Sequence, residues 1–311
     1  MLVADTVCLD TTCTSSLPPM SSDANFASVL KPVSRVKDVS ARLTAALGAR
    51  MESSAVTFIT AASSNHFLES QALIKNLHRK VFPSLDNFTF YYYDLGLEPQ
   101  QRHQLEKFCK CEVRSYPFHV LPWRFGFLRG FTWKVILMQA HLPFTDILVW
   151  VDSSIRFLTG NLEPMFKEAR STGLLLSNVR FSVSEHTSEK MFSYFGDRAC
   201  EYSIYNEVEA GFQVVHNEPF VRDLVLKTWW ACAVDPDCMS SEYHDKQFHC
   251  SPKVRSYSKC HRFDQSAHTL ILAKLFRENI ATFYLQKGKY HVVKRKQTEH
   301  YFEELEKKGH K

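Results

Sequence analysis

No stretch of the chain approaches the roughly 18 consecutive apolar residues that a helix needs to cross a bilayer. The purely apolar runs are short, Ile147 to Val151 among them. Basic residues are missing from the start: the first is Lys31, and Met1 to Leu17 carries Asp5 and Asp10 where a secretory signal has an apolar block. Two alternatives follow: a cytosolic protein, or one whose longer form carries an anchor upstream. Also absent are G-x-G-x-x-G and G-x-x-x-x-G-K-[ST], the loops that cradle dinucleotides and nucleoside triphosphates. That counts against a Rossmann dehydrogenase or an NTPase. There is no internal repeat. Nor is there a dense block of one charge: 38 Lys and Arg stand against 33 Asp and Glu, a formal net charge of +5. Such a mild excess would attract a diphosphate but lacks the patterning of a nucleic-acid protein.

What is present suits a soluble domain with a full core. Of 311 residues, 45% are hydrophobic and 23% charged, with 24 Phe and 12 Tyr. Nine cysteines are many for a cytosolic enzyme of this size. Cys232, Cys238, Cys250 and Cys260 fall in one segment with C-x5-C-x11-C-x9-C spacing, lacking the close pair of a structural zinc site. Two disulfides are the favoured reading, with zinc kept as the minority alternative by nearby His244, His249 and His261. Asn87-Phe88-Thr89 is a glycosylation sequon. Together these features point to a secretory lumen such as the Golgi.

The pattern divides the chain into a leader (1–50), a main domain (51–293) and a charged tail (294–311). Ser, Thr, Ala and Pro dominate residues 1–30, which read as disordered. Val36, Val39, Leu43 and Leu47 then take helical spacing up to Gly48. Within the main domain, strands (Val56–Thr60, Phe88–Tyr93, Cys111–Phe118, Ile147–Val151) alternate with helical segments, and a small polar turn covers Ala61–Asn65. This alternation predicts an α/β fold with a mainly parallel sheet flanked by helices in one domain. Leu174–Leu176 and Gly211–His216 read as further strands, and Gln265–Phe276 as an amphipathic helix. Residues 180–205 lack a pattern and read as a mobile flap. The tail reads as solvated.

In such sheets ligands sit at the carboxyl ends of the strands, and Asp152 is the first residue past the most apolar one. The bland alternative is a turn cap. Ser153, Ser154 and Arg156 beside it suit ribose or phosphate contacts. Trp123, Phe125, Phe127, Phe131 and Trp133 cluster ahead of Lys134. Core packing is their default role, and stacking on a nucleotide base the alternative.

Trp150-Val151-Asp152-Ser153-Ser154 resembles the W-x-D-x-D region of GT-A glycosyltransferases, notably the galactosyl- and xylosyltransferases of fungi and plants. Glu209-Ala210-Gly211-Phe212-Gln213-Val214-Val215-His216-Asn217 resembles that group's N-x-G-x-F-x-x-R-N strand. Phe263-Asp264-Gln265-Ser266-Ala267 resembles its D-D-Q-S-A helix start. The chain is also similar to a family of uncharacterised animal proteins classed as glycosyltransferase-like. The resemblance spans residues 55–290 and implies a GT-A-like, Rossmann-type sheet that binds a nucleoside diphosphate sugar. Thr60, Ala61, Lys134, Asp152, Ser153, Ser154, Arg156, Gly211 and Gln265 are the implied binding residues. The implied reaction is transfer to a hydroxyl of a glycan, protein or lipid.

Asp264 and Glu209 are the implied catalytic carboxylates. For Asp264 a helix cap is the equal alternative, and for Glu209 a solvated strand end. Gly211 matches a position where a side chain would collide with donor or backbone, with a bulge or tight packing as the alternative. The family's pattern places Mn²⁺ or Mg²⁺ on the second acid of D-x-D, which is Ser154 here, a poor divalent ligand. Either Asp152 holds a metal with another group, for which His291 is the candidate although a surface or satisfied histidine is its default reading, or cations replace it. Arg156, Lys134 and Lys289 are those cations. An exposed or snorkelling side chain is the commoner reading for both lysines. The competing class is a binding or scaffold protein that keeps the fold without the chemistry.

Overall fold

The protein is described from a computed structural model covering residues 23–36, 51–240, 250, 257–258 and 260–309. Its sheet grows outward from two strands rich in β-branched and aromatic residues, the type that suits a pleated surface covered on both sides. These are β1 (Ser54–Ala62) and β4 (Thr145–Val151). Their register sets Phe58 beside Val149 and Ile59 beside Trp150. With β2 (Phe88–Asp94), β3 (Glu112–Ser115), β6 (Leu174–Ser182) and β7 (Asn206–His216) they form one six-stranded sheet. The order is β3-β2-β1-β4-β7-β6. The first four strands run parallel, whereas β7 lies antiparallel to both β4 and β6.

Parallel neighbours need crossovers, which helices provide. α2 (Phe67–Asn76) joins β1 to β2, α3 (Pro99–Phe108) joins β2 to β3, and α4 (Thr132–His141) leads into β4. Alternation along each strand sends side chains to two cores. Phe58, Phe90 and Val149 join one with Leu73 and Ile74 of α2. Ile59, Tyr91 and Trp150 join the other with Ile136 and Leu137 of α4. The result is helices on both faces of a mainly parallel sheet, as the strand–helix alternation predicts. A small second sheet pairs β5 (Ile155–Phe157) antiparallel with β8 (His291–Val293). α5 (Glu163–Thr172), α6 (Glu189–Phe195), α7 (Lys227–Val234) and α8 (Phe263–Phe276) complete the main body. No described helix is long and apolar enough to cross a membrane.

Four expectations change. Residues 23–35 are not disordered but form α1 (Asp23–Arg35), with Val29 wholly buried. Its composition hides it, because its anchors are distant: Arg35 Nε lies 2.8 Å from Asp235, and Lys31 Nζ sits 4.3 Å over the Tyr194 ring. The helical spacing of Val39, Leu43 and Leu47 lies outside the described residues. Residues 180–205 are no open flap, since Met191, Phe192 and Tyr202 are fully buried in and after α6. The tail is not simply solvated: α9 (Tyr301–Gly309) buries Phe302 completely, and Lys75 holds Glu304 at 2.7 Å. Finally, β1 continues through Ala61 to Ala62, so the polar turn starts later than expected.

The cysteine segment pairs Cys232 with Cys238 and Cys250 with Cys260. Cys109 and Cys111 form a further disulfide that the sequence reading missed. His261 is a buried neutral histidine. Its Nε2 donates to the Met239 carbonyl at 2.9 Å, its Nδ1 accepts the Ser188 N–H, and burial pushes its pKa down to about 4. Among the described residues, the cysteines closest to a metal-like cluster are Cys250 and Cys260 beside His186. They are bridged, so the thiolates a zinc site requires are absent. His244 and His249 lie outside the described residues.

Candidate functional site

The site is built where the sheet changes direction. β4 pairs parallel with β1 on one side and antiparallel with β7 on the other. Past Val151 the chain makes a tight turn in which Asp152 N–H donates to the Gly211 carbonyl at 2.8 Å and Ile155 N–H to the Asp152 carbonyl at 3.0 Å. Gly211 permits this approach: a Cβ there would stand 3.0 Å from Asp152 Oδ2. The clash expected at this position therefore involves the site's own carboxylate.

Asp152 keeps 35% of its side chain exposed. Trp150 Nε1, two residues back on the same strand face, donates to its Oδ1 at 2.8 Å. Lys134 approaches from α4, with Nζ 3.3 Å from Asp152 Oδ1, 2.9 Å from Asp264 Oδ2 and 3.1 Å from the Ala210 carbonyl. The Asp264 contact lies off the direction of a hydrogen bond and holds Oδ2 by charge. This lysine is 3% exposed, which corrects the reading of an exposed or snorkelling side chain. Burial alone would push its pKa down; Asp152 and Asp264 outweigh that and raise it, so the ammonium is fixed. Burial raises the pKa of Asp264, and Lys134 counteracts the rise.

Asp264 is not the cap of α8. That place belongs to Arg262, which makes no capping bond, while Asp264 lies in the first turn and faces Lys134. Gln265 donates its backbone N–H to Asp264 Oδ1 at 2.9 Å. The starts of α4 and α8 are held together by two strained residues. Phe131 (φ 53°) and Phe263 (φ 40°) both take left-handed backbones, and their rings lie 6.4 Å apart. Bulky residues adopt this conformation at a cost of about 1–3 kcal/mol, and such strain clusters at functional sites. In the aromatic cluster, Phe125 and Trp133 are core, while Phe131 stays 37% exposed beside Lys134 and Trp123 is 70% exposed.

Other candidates lie elsewhere. Arg156 does not face the turn's open side; it is a buried clamp whose guanidinium donates to the carbonyls of Ser153, Ile155, Glu69 and Gln297. Ser153 is also turned inward, its Oγ donating to Glu69 Oε2 at 3.1 Å. Ser154 is half-buried, and its carbonyl accepts the Lys294 N–H at 2.7 Å. Thr60 is fully buried near the end of β1, with a hydroxyl that has no partner among the described residues, and Ala61 follows it. Lys289 is exposed in the loop before β8. Glu209, two residues before Gly211 on β7, pairs with His291 at 4.0 Å, with Ser177 Oγ 3.3 Å from His291 Nε2 and the Phe212 ring tilted against the imidazole at 3.9 Å.

A divalent ion does not fit Asp152 well. Among the described residues no group of three His, Cys, Asp or Glu ligands gathers there, and an ammonium already sits between Asp152 and Asp264. His291 is engaged with Glu209 and Ser177. Sequence reasoning missed the joint role of Lys134, the donor bond from Trp150 and the contribution of Glu69. Only the W-x-D spacing, which sets Trp150 and Asp152 on one strand face, was a readable signal for any of these.

Comparison with known proteins gives one family match: residues 20–139 fit a family described as a protein of unknown function, DUF1647. No curated protein matches the sequence. Among solved structures, core-mannan synthase A from Aspergillus fumigatus in an Mn/GDP form is similar at 10% identity and a TM-score of 0.46, covering 78% of this chain and 74% of that one. Mouse xyloside xylosyltransferase 1 in its apo form is similar at 12% identity and a TM-score of 0.42, covering 76% and 85%. The bifunctional glycosyltransferase WbbM is similar at 13% identity and a TM-score of 0.43 over 76% of this chain, which spans only 38% of WbbM.

Proposed function

We propose that the chain is a glycosyltransferase that moves a sugar from a nucleoside diphosphate donor to a hydroxyl of a glycan, protein or lipid. The observation that carries this reading is the Asp152 carboxylate, partly exposed past β4 and fixed by Trp150, Lys134 and the close approach of Gly211. An oriented acceptor of this kind at the carboxyl end of a central strand suits hydroxyls of a ribose or donor sugar. Thr60 and Ala61 lie near the end of β1, the strand that pairs with β4, and Ser154 and Gln265 flank the carboxylates. Lys134 and Asp264 are too enclosed to touch an acceptor, so their part is to position Asp152.

In the transfer, the bond between the anomeric carbon and the diphosphate oxygen breaks and a bond to the acceptor oxygen forms. The acceptor's proton goes to a carboxylate, for which we assign Glu209, 16% exposed and adjacent to His291. The negative charge on the leaving diphosphate needs a counter-ion. We assign that part to the exposed Lys289, which would have to reach the diphosphate from the loop before β8. The disulfides suit an oxidising lumen, so we place the enzyme in the secretory pathway, with the Golgi as its compartment.

A binding or scaffold role is the second reading, favoured by Ser154 at the metal position and by the ammonium that already satisfies both carboxylates. Calorimetry with UDP, GDP and CMP, each with and without Mn²⁺, followed by turnover of the matching sugar donors, separates the two. The expected outcome is binding of one nucleotide class and a loss of turnover of at least about a hundredfold in Asp152→Asn, the scale of a removed charge-stabilising group. Nucleotide binding without turnover would select the scaffold. Absence of binding to any of them, or full activity in Asp152→Asn, would remove this site from the proposal.

A further inference from the structure

A cavity of about 440 Å³ opens between α2 with the turn that follows it, β5, and the segment after β8. None of Lys134, Asp152, Gly211 or Asp264 lines it. Its charged walls are Lys75, Arg79, Lys80, Arg156 and Lys294, against the single carboxylate of Glu299. That carboxylate is already engaged, 3.0 Å from Lys75. Arg79 and Lys75 also hold Glu304, while Lys80 Nζ donates to the Leu158 carbonyl at 3.1 Å.

Arg156 is the unusual member. Its side chain is buried, yet four of its N–H bonds go to backbone carbonyls, and its Nε has no partner among the described residues. No carboxylate lies within ion-pair distance of it among the described residues. A buried cation whose nearest carboxylates, Glu69 and Glu299, stand beyond ion-pair distance is only partly neutralised, and an anion entering a basic cavity at its side completes the compensation. In agreement, burial lowers the Arg156 pKa by more than Glu69 and Glu299 raise it.

We propose that this cavity binds a small molecule carrying a phosphate or sulfate group. The oxyanion would be met by Lys80 and Lys294 at the rim, since charge-assisted contacts of this kind are the strong ones, with the charge of Arg156 in the wall behind them. The volume exceeds that of a bare oxyanion, and Leu158 and Val292 give a less polar wall for the organic part. Arg156 also clamps the carbonyls of Ser153 and Ile155, while Lys294 N–H binds the Ser154 carbonyl. Occupancy would therefore steady the turn that carries Asp152.

The test uses the full chain with inorganic phosphate, inorganic sulfate and glucose 6-phosphate, against chloride and glucose at matched ionic strength. Thermal midpoints and titration calorimetry are read for the parent and for Lys80→Ala/Lys294→Ala. Both substituted lysines lie outside the transfer site, and a single Lys80→Gln variant guards against a folding defect. The expected result is a saturable rise of the midpoint with an oxyanion, by mass action, and affinity at least about tenfold weaker in the double variant. Tighter phosphate binding as pH rises through its second ionisation identifies a phosphate monoester; sulfate binding that exceeds phosphate binding across the same pH range identifies a sulfate ester. A response to chloride equal to that to the oxyanions, an unchanged affinity in the double variant, or no response at all overturns the proposal. Because no nucleotide is involved, failure here leaves the transferase reading untouched.

Discussion

Lys134 shows how one side chain can hold a site together. Its ammonium has left water, and the loss is repaid only because Asp152 and Asp264 converge on it from two other elements. Lys134→Met keeps the volume and removes the charge, leaving Asp264 buried without a partner. We expect it to destabilise the fold by about 3–5 kcal/mol, the scale for breaking one half of a buried pair. Urea denaturation measures this, and a loss below about 1 kcal/mol would mean that the pair is loosely coupled to folding. Of this site, Asp152 was legible because a local rule marks the end of a central strand. Lys134 was not. Its contacts with Asp152 and the Ala210 carbonyl span 18 and 76 residues of sequence, and no periodicity carries that information. Arg156 misled for the mirror-image reason: its position beside the turn is local, but the inward direction of its side chain depends on Glu69 and Gln297.

Among the elements, those with a continuous apolar signature were readable and those anchored by a few residues were not. β4 announces itself by an unbroken apolar run and β1 by a β-branched and aromatic one, and their ends fell where the pattern put them, within two residues. β7 was read only from Gly211 onward, since Asn206 to Ala210 mixes acidic and apolar residues. α9 was hidden by its glutamates and lysines, although Tyr301 and Phe302 carry the contact with the body. Phe302→Ala should therefore cost about 3–5 kcal/mol despite sitting in a highly charged segment, as truncation of a fully buried phenylalanine does. A denaturation midpoint unchanged in this variant would show that α9 rests on its ion pairs alone. Lys75 with Glu299 and Glu304 is the network that would then carry it.

For the molecule as a whole, buried neutral histidines set a lower limit to the pH at which it is stable. His268 stacks on Trp229 at 4.0 Å, and burial pushes its pKa down to about 3; His141 is likewise at about 3. The unfolded chain takes up these protons near the ordinary histidine pKa, and the folded chain does not. Their contribution to stability is thus complete above about pH 6.5 and drains away as pH falls toward the folded values. His268→Phe should flatten the dependence of unfolding free energy on pH by up to about 1.4 kcal/mol per pH unit between pH 6 and pH 4. Parallel pH profiles for parent and variant would show instead that this histidine ionises in the folded state.

Both cores close only after most of the sequence has been made, one slightly before the other. Val29 of α1 belongs to the core shared with α4, α7 and α8, whereas Tyr301 and Phe302 of α9 complete the core on the other face of the sheet. A ribosome delivers Val29 early, but Phe263 to Phe283 of that same core emerge only shortly before Tyr301 and Phe302 of the other. The growing polypeptide therefore carries both faces of its sheet incompletely covered, and inviting to neighbouring chains, until these segments have left the exit tunnel. Chaperone binding during synthesis should persist on both faces and end only after α8 and then the first turn of α9 have arrived.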